Sequence, residues 1–161
     1  MNLTSETRNV VIDASVLVAL CAQEPGRCAL ADAALEQRDA AGCTVYAPHL
    51  IVMETLYVLC NKHIGGELSA DEYASAVANL RSSLAAVKFL PEGDAALIAR
   101  AERIRHGYGC SRSADSLYLA LTELLAVTGR AELLTFDAGQ RKQAAAVAPS
   151  VTVILLPNAK V

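Results

Sequence analysis

Residues Asn9 to Leu20, NVVIDASVLVAL, decide the fold. Val10, Val11 and Ile12 make a short apolar, β-branched run. Asp13 ends it, Ser15 follows two residues later, and a second apolar run covers Val16 to Leu20. This pattern predicts a buried strand, a tight turn at Asp13 and a helix that starts near Ser15. A carboxylate at the carboxyl end of a central strand lies where open α/β sheets bind ligands. Asp is also a good helix N-cap, so on this stretch alone Asp13 reads equally as a cap.

Outward from this stretch, strands and helices alternate. Helices are predicted over Arg27–Ala40, from Leu50 to His63, from Ser69 to Leu84, from Asp94 to His106, from Ser113 to Val127 and over Ala138–Val147. Further strands are predicted at Thr44–Ala47, Ala86–Leu90, Leu133–Phe136 and Val151–Leu155. Glu24-Pro25-Gly26, Gly42, Pro48, Gly65-Gly66, Pro91, Gly107, Gly109 and Gly129 punctuate them. Ser69 with Glu72 reads as a capping box. The alternation implies an α/β domain: a three-layer α/β/α sandwich around a central, mostly parallel sheet of five strands. At 161 residues, with no repeat and no linker, the expectation is one domain over 1–161, its core at about 9–156.

Composition narrows the function classes. Hydrophobic residues make up 53% and charged residues 19%, as in a packed globular chain rather than a disordered one. The net charge of −3 argues against a broadly basic nucleic-acid surface, though not against a local one. Cys21, Cys28, Cys43, Cys60 and Cys110 are odd in number and form no CxxC pair. They read as reduced, buried thiols in a cytoplasmic protein. Met1 to Arg8 lacks the apolar core of a signal peptide. No apolar run reaches the roughly 18 residues that suggest a membrane span.

The acids carry the chemistry. Asp13 and Asp137 each end an apolar strand, so a parallel sheet puts both on one edge. If the two strands are neighbours, their carboxylates share a crevice. Glu54 and Asp115 lie in the first turns of largely apolar helices, where an ionised group is costly unless paired or liganded. Four carboxylates together repel one another, and a divalent cation relieves that. Oxygen donors suit Mg²⁺ or Mn²⁺; neither His nor Cys shows zinc spacing.

Asp13, Glu54, Asp115 and Asp137 stand within VVIDASVLVAL, HLIVMETLYVL, SADSLYLALT and LLTFDAGQRKQA. In this order and context they resemble the acidic quartet of PIN-domain nucleases, and most of all the small VapC-type toxins of toxin–antitoxin pairs. The resemblance runs from about Val10 to Leu155. It implies a metal-dependent ribonuclease that cuts structured RNA with a metal-activated water. Asp13 and Asp137 would be direct ligands; Glu54 and Asp115 would act partly through water, as second ligand or general base. It also implies a homodimer and a small antitoxin threading a segment, often with an Arg, across the site.

Other residues keep plainer readings. Ser15 either hydrogen-bonds the site or caps the helix. Arg112 either touches substrate phosphate or pairs with a carboxylate near Asp115. Asp94 reads as the N-cap of its own helix. Arg141 and Lys142 read as a solvated face. His63 and His106 suit helix C-termini, and the Tyr57 region reads as core or dimer contact. Two rival classes stand beside the nuclease. A haloacid-dehalogenase-type phosphohydrolase wants a second Asp where Ser15 stands. A non-catalytic binding or regulatory module would tolerate Asp13→Asn.

Overall fold

The computed structural model describes residues 7–158. The polar stretch before residue 7 and the last three residues of the tail, which entered the reading of the termini, lie outside it. The strands are β1 (Arg8–Ile12), β2 (Thr44–Tyr46), β3 (Arg130–Thr135) and β4 (Thr152–Leu155). The helices are α1 (Ala14–Cys21), α2 (Arg27–Ala40), α3 (Ile51–Ile64), α4 (Ala70–Leu84), α5 (Ile98–Gly107), α6 (Asp115–Leu125) and α7 (Ala138–Val147). A 3-10 helix at Gly93–Leu97 leads into α5.

The sheet is parallel throughout, in the order β2-β1-β3-β4. β1 and β3 are therefore neighbours, as the two-carboxylate argument required, with Ile12 opposite Leu134. In β1, Val10, Val11 and Ile12 are all buried, so side chains on both faces of the strand are covered. That is the signature of a parallel sheet sandwiched between helices. α1 packs against α2, α3 and α4, and α6 packs on β1 and β3. Nearly every side of α1 is buried, through Val16, Leu17, Val18, Ala19 and Cys21. Its sequence is correspondingly apolar all round rather than striped.

Among the described residues the sheet has four strands, not the five expected. Ala86–Leu90 contributes one parallel bridge, Lys88 to Tyr46. The backbone explains why. The N–H groups of Ala86 and Val87 bond back to Ser83 and Leu84, finishing α4, while the Leu90 carbonyl accepts from Gly93 in the next turn. Only Lys88 is left to pair, donating to Val45 and accepting from Ala47. The segment is apolar enough for a strand but too tightly held at both ends to form one.

Two further expectations change. Of the cysteines, all of them free, only Cys21 is buried; Cys28, Cys43 and Cys60 are half-buried and Cys110 is exposed. Asp94 caps a helix, but not its own. Its Oδ1 accepts from His49 N–H at 2.8 Å and its Oδ2 from Leu50 N–H at 3.0 Å, at the start of α3. Sequence cannot reveal that a 3-10 helix 44 residues later will supply a cap. The capping box at Ser69 and Glu72 is present as read.

Gly129 lets β3 begin where it does. A Cβ there would lie 2.3 Å from the Thr7 carbonyl oxygen, which accepts from Arg130 N–H at 2.8 Å. Only a residue without a side chain fits that approach.

Asp94 anchors the helix that carries Glu54. Asp94→Ala should destabilise the fold by about 1 kcal/mol, the usual cost of losing a cap, read as a lower urea midpoint. An unchanged midpoint would mean that α3 starts independently of this contact.

Candidate active site

The carboxyl edge of the sheet is built around Asp13. Its side chain caps α1, with Oδ2 accepting from Ser15 N–H at 3.2 Å and from Ser15 Oγ–H at 2.5 Å. The cap reading and the site reading of Asp13 therefore hold at one atom. The same Oδ2 accepts from the Thr135 hydroxyl at 3.0 Å, across from β3. Thr135 Oγ1 accepts in turn from Asp137 N–H at 2.9 Å, and Ser15 Oγ accepts from Phe136 N–H at 3.0 Å. Two hydroxyls thus stitch the turn after β1 to the turn after β3. Asp137 repeats the local pattern, as N-cap of α7, with Oδ1 accepting from Gly139 N–H at 2.7 Å.

The other two acids come from helices. Glu54, in the first turn of α3, accepts a short hydrogen bond from the Tyr118 hydroxyl of α6. Asp115 opens α6, and its Oδ2 accepts from Ser113 Oγ–H at 2.8 Å.

The electrostatics show that these groups share one neighbourhood. Burial raises the Asp13 carboxyl above the ordinary aspartate value, against the pull of the Ser15 and Thr135 hydrogen bonds. Burial also raises Glu54; the Tyr118 hydrogen bond opposes the shift, and the charges of Asp13 and Asp115 add to it. Asp115 is raised by burial, opposed by Ser113, and raised further by the charges of Asp137 and Asp13. Burial and the charges of Asp13 and Glu54 push the Tyr118 hydroxyl strongly upward, so it remains a proton donor to Glu54. Glu54 and Asp115, each raised by burial and further by the charges of other acids, are the candidates for a functional site.

In kind, this donor set fits a hard divalent cation: carboxylate oxygens with hydroxyl supports and no thiolate or imidazole. In Glu54, Asp115 and Asp137 the positioning hydrogen bond takes one oxygen and leaves the other for a ligand. In arrangement the acids stand apart. Among the described residues, no three Asp, Glu, His or Cys side chains are grouped to hold an ion. Mg²⁺ gives up its water reluctantly and is commonly held by one or two carboxylates with the rest reached through water. A spread set of acids suits that mode.

Of the supporting residues expected from sequence, Ser15 hydrogen-bonds Asp13, whereas the carboxylate pairing read for Arg112 is not formed among the described residues. Arg112 is exposed and makes no ion pair among the described residues; Ser113 is the neighbour that touches Asp115. Thr135, Ser113 and Tyr118 were missed. The first two carried a signal: each of the three aspartates has a hydroxyl residue two positions away, in Asp13/Ser15, Ser113/Asp115 and Thr135/Asp137. Tyr118 carried none, because its role depends on how α6 packs beside α3.

A family model described as PIN domain matches residues 10–146, which include all four acids. The chain belongs to the PIN-domain family. No curated protein matches it in sequence. Among solved structures, the fold resembles VapBC2 from Rickettsia felis, crystallised with a DNA fragment from their promoter. That match has a TM-score of 0.59 at 13% identity and covers 92% of this chain and 99% of the other. It also resembles a protein from Pyrobaculum aerophilum, with a TM-score of 0.51 at 20% identity, covering 88% of this chain and 85% of that one. At such identities the PIN domain shares its fold with these two. PIN membership removes the haloacid-dehalogenase alternative.

Two outcomes test this geometry. Thr135→Val keeps the buried shape but strands Asp137 N–H and removes a donor to Asp13; a loss of about 1–3 kcal/mol is expected in urea unfolding. The raised acids set a pH dependence for the metal-free PIN domain. Their folded-state proton affinity exceeds the unfolded one, so their contribution is fully present below the ordinary carboxyl values. It is lost as pH rises through the raised folded values. In EDTA, Asp115→Asn should therefore flatten the decline in stability as pH rises above the ordinary carboxyl range. Parallel pH curves for variant and wild type would refute the shared-neighbourhood electrostatics.

Proposed function

We propose that this PIN domain is a metal-dependent endoribonuclease, and that it is the toxin of a VapBC-type toxin–antitoxin pair. The reading is supported by Asp13 and Asp137 following neighbouring parallel strands, and by the charges of Asp13 and Asp115 acting on Glu54 and those of Asp137 and Asp13 acting on Asp115. Asp13 and Asp137 would hold Mg²⁺ or Mn²⁺ directly. Glu54 and Asp115 would act partly through water, as second ligand or general base. When bound, such an ion lowers the pKa of a coordinated water and offsets charge building on the phosphate.

The chain's own residues do the rest. Ser15 and Thr135 fix the Asp13 carboxylate. Tyr118 holds Glu54 by its proton, and Ser113 holds Asp115. Asp115 and Glu54, raised toward neutrality, are the groups suited to take a proton from the attacking water. No covalent intermediate is needed.

The VapBC assignment rests on the sequence motifs and is supported by the fold shared with VapBC2 of Rickettsia felis. Under it the substrate is structured RNA, the partner is a small antitoxin, and the chain is a homodimer. Met53, Tyr57 and Ile64 form an exposed apolar stripe on α3, available for such contacts. Among the described residues no helix is long and apolar enough to cross a membrane, and the free cysteines suit a reducing cytoplasm.

Purified protein incubated with total cellular RNA should give discrete fragments with Mg²⁺ or Mn²⁺ and none with EDTA. Asp13→Asn and Asp137→Asn should each reduce cleavage by about 100-fold or more, as loss of a charge-stabilising group does. Millimolar metal should also raise the melting temperature of the wild type and not of these variants. Cleavage that survives EDTA, or Asp13→Asn, would overturn the metal-site reading.

A further inference from the structure

Two of the acids have an arginine close by in the chain. Arg112 lies three residues before Asp115, and Arg141 four residues after Asp137. Both arginines are exposed, and neither belongs to an ion pair among the described residues. The charge of Asp137 acts on Asp115, so the two arginines stand around one pair of carboxylates.

Both backbones are held in place. Arg112 is the apex of a small turn: Ser113 N–H donates to Ser111 Oγ at 3.3 Å, and the two hydroxyls lie 3.1 Å apart. Arg105 of α5 secures the turn, donating from Nη2 to the Ser113 carbonyl at 2.6 Å. Ser113 Oγ–H then reaches Asp115. Arg112 therefore extends outward from a turn that is itself bonded to the acid. Arg141 is one turn into α7, on its exposed side, whereas Gln140, Gln143 and Ala144 are buried. Residues four apart share a helix face, and helical side chains lean toward the N-terminus. Arg141 thus covers the turn that begins at Asp137. Lys142 is rotated about 100° further round the helix.

Helix stability does not account for either arginine. A cation suits the C-terminal end of a helix, yet the last turn of α7 holds no basic residue and Arg112 precedes the start of α6. Arg27, which stacks on Phe136 at the same edge, is by contrast paired with Glu24 and donates to Asn158.

We infer, resting on the nuclease reading, that Arg112 and Arg141 hold the RNA backbone, each taking a phosphate to one side of the acids. A chain of net charge −3 with an acidic site repels RNA as a whole, so attraction has to be local. Guanidinium groups match phosphate oxygens in charge and in paired geometry. The ligand brings negative charge to both sides of one centre, and a phosphodiester chain repeats its charge at every nucleotide.

The test is fluorescence anisotropy of a labelled RNA hairpin titrated with the full chain in EDTA, repeated across salt concentrations. Arg112→Ala and Arg141→Ala should each lower the slope of log affinity against log salt by about 0.7 to 0.9, and weaken binding about five- to eightfold at about 0.1 M salt. Melting temperatures should stay the same, because both side chains are exposed. Arg8→Ala removes a charge from the far end of β1 and should leave slope and affinity unchanged. With Mg²⁺, the two variants should raise KM for RNA and leave kcat within about twofold. A slope lowered equally by Arg8→Ala would overturn the assignment, because net charge alone would then be at work. So would poly-glutamate that displaces the hairpin at equal charge concentration, since an acidic protein segment would then be the occupant. RNA cut by wild type and both variants with equal KM would overturn it and leave the nuclease reading standing. A wild type that neither binds nor cuts RNA would remove both.

Discussion

The Thr135 hydroxyl is the hinge of this structure. It donates to the Asp13 carboxylate and accepts from the Asp137 backbone, joining the ends of two strands 122 residues apart in sequence. The link is possible only because β1 and β3 are parallel neighbours in register, with Ile12 opposite Leu134. Register by one residue either way would turn Thr135 to the other face of the sheet and separate the two acids. Ser15 makes the reverse link, from the turn after β1 to Phe136 N–H. Folding the sheet and assembling the acidic edge are therefore one event.

The same arrangement stores an electrostatic tension. Asp13, Glu54 and Asp115 each have burial as the main cause of a raised proton affinity, and each is partly relieved by a hydroxyl donor. The hydroxyls orient the carboxylates and make their burial tolerable without neutralising them, so charge remains to attract a cation. A salt bridge would have neutralised it. The ion pairs found among the described residues fall elsewhere, as in Arg38–Glu132, Arg100–Glu123 and Lys62–Glu24. Among the described residues, none of the four acids forms a salt bridge with a Lys or Arg.

Local signals were strong where a single segment decides its own structure. The β-branched run before Asp13, the Ser69–Glu72 capping box and the glycine and proline stops were readable because hydrophobic period and capping chemistry act within a few residues. The acids at strand ends and helix starts were readable for the same reason: a carboxylate interrupting an apolar run is visible in one dimension. Even the hydroxyl two residues from each aspartate could have been noticed.

What tertiary structure alone decided involves partners far apart in the chain. Ala86–Leu90 has a strand's composition, yet α4 and the turn at Gly93 claim its backbone groups and leave only Lys88 to pair. Asp94 looks like the cap of its own helix, yet it reaches the start of α3. Tyr118 is buried in α6, and its hydroxyl reaches Glu54 on α3. Arg112 precedes Asp115 by three residues, yet it points to solvent while Ser113 makes the contact. The sequence by itself determined which residues are apolar, which are charged and where the turns between elements fall. Which donor meets which acceptor depends on strand order and helix packing, because a hydrogen bond forms within about 3 Å whatever the separation along the chain.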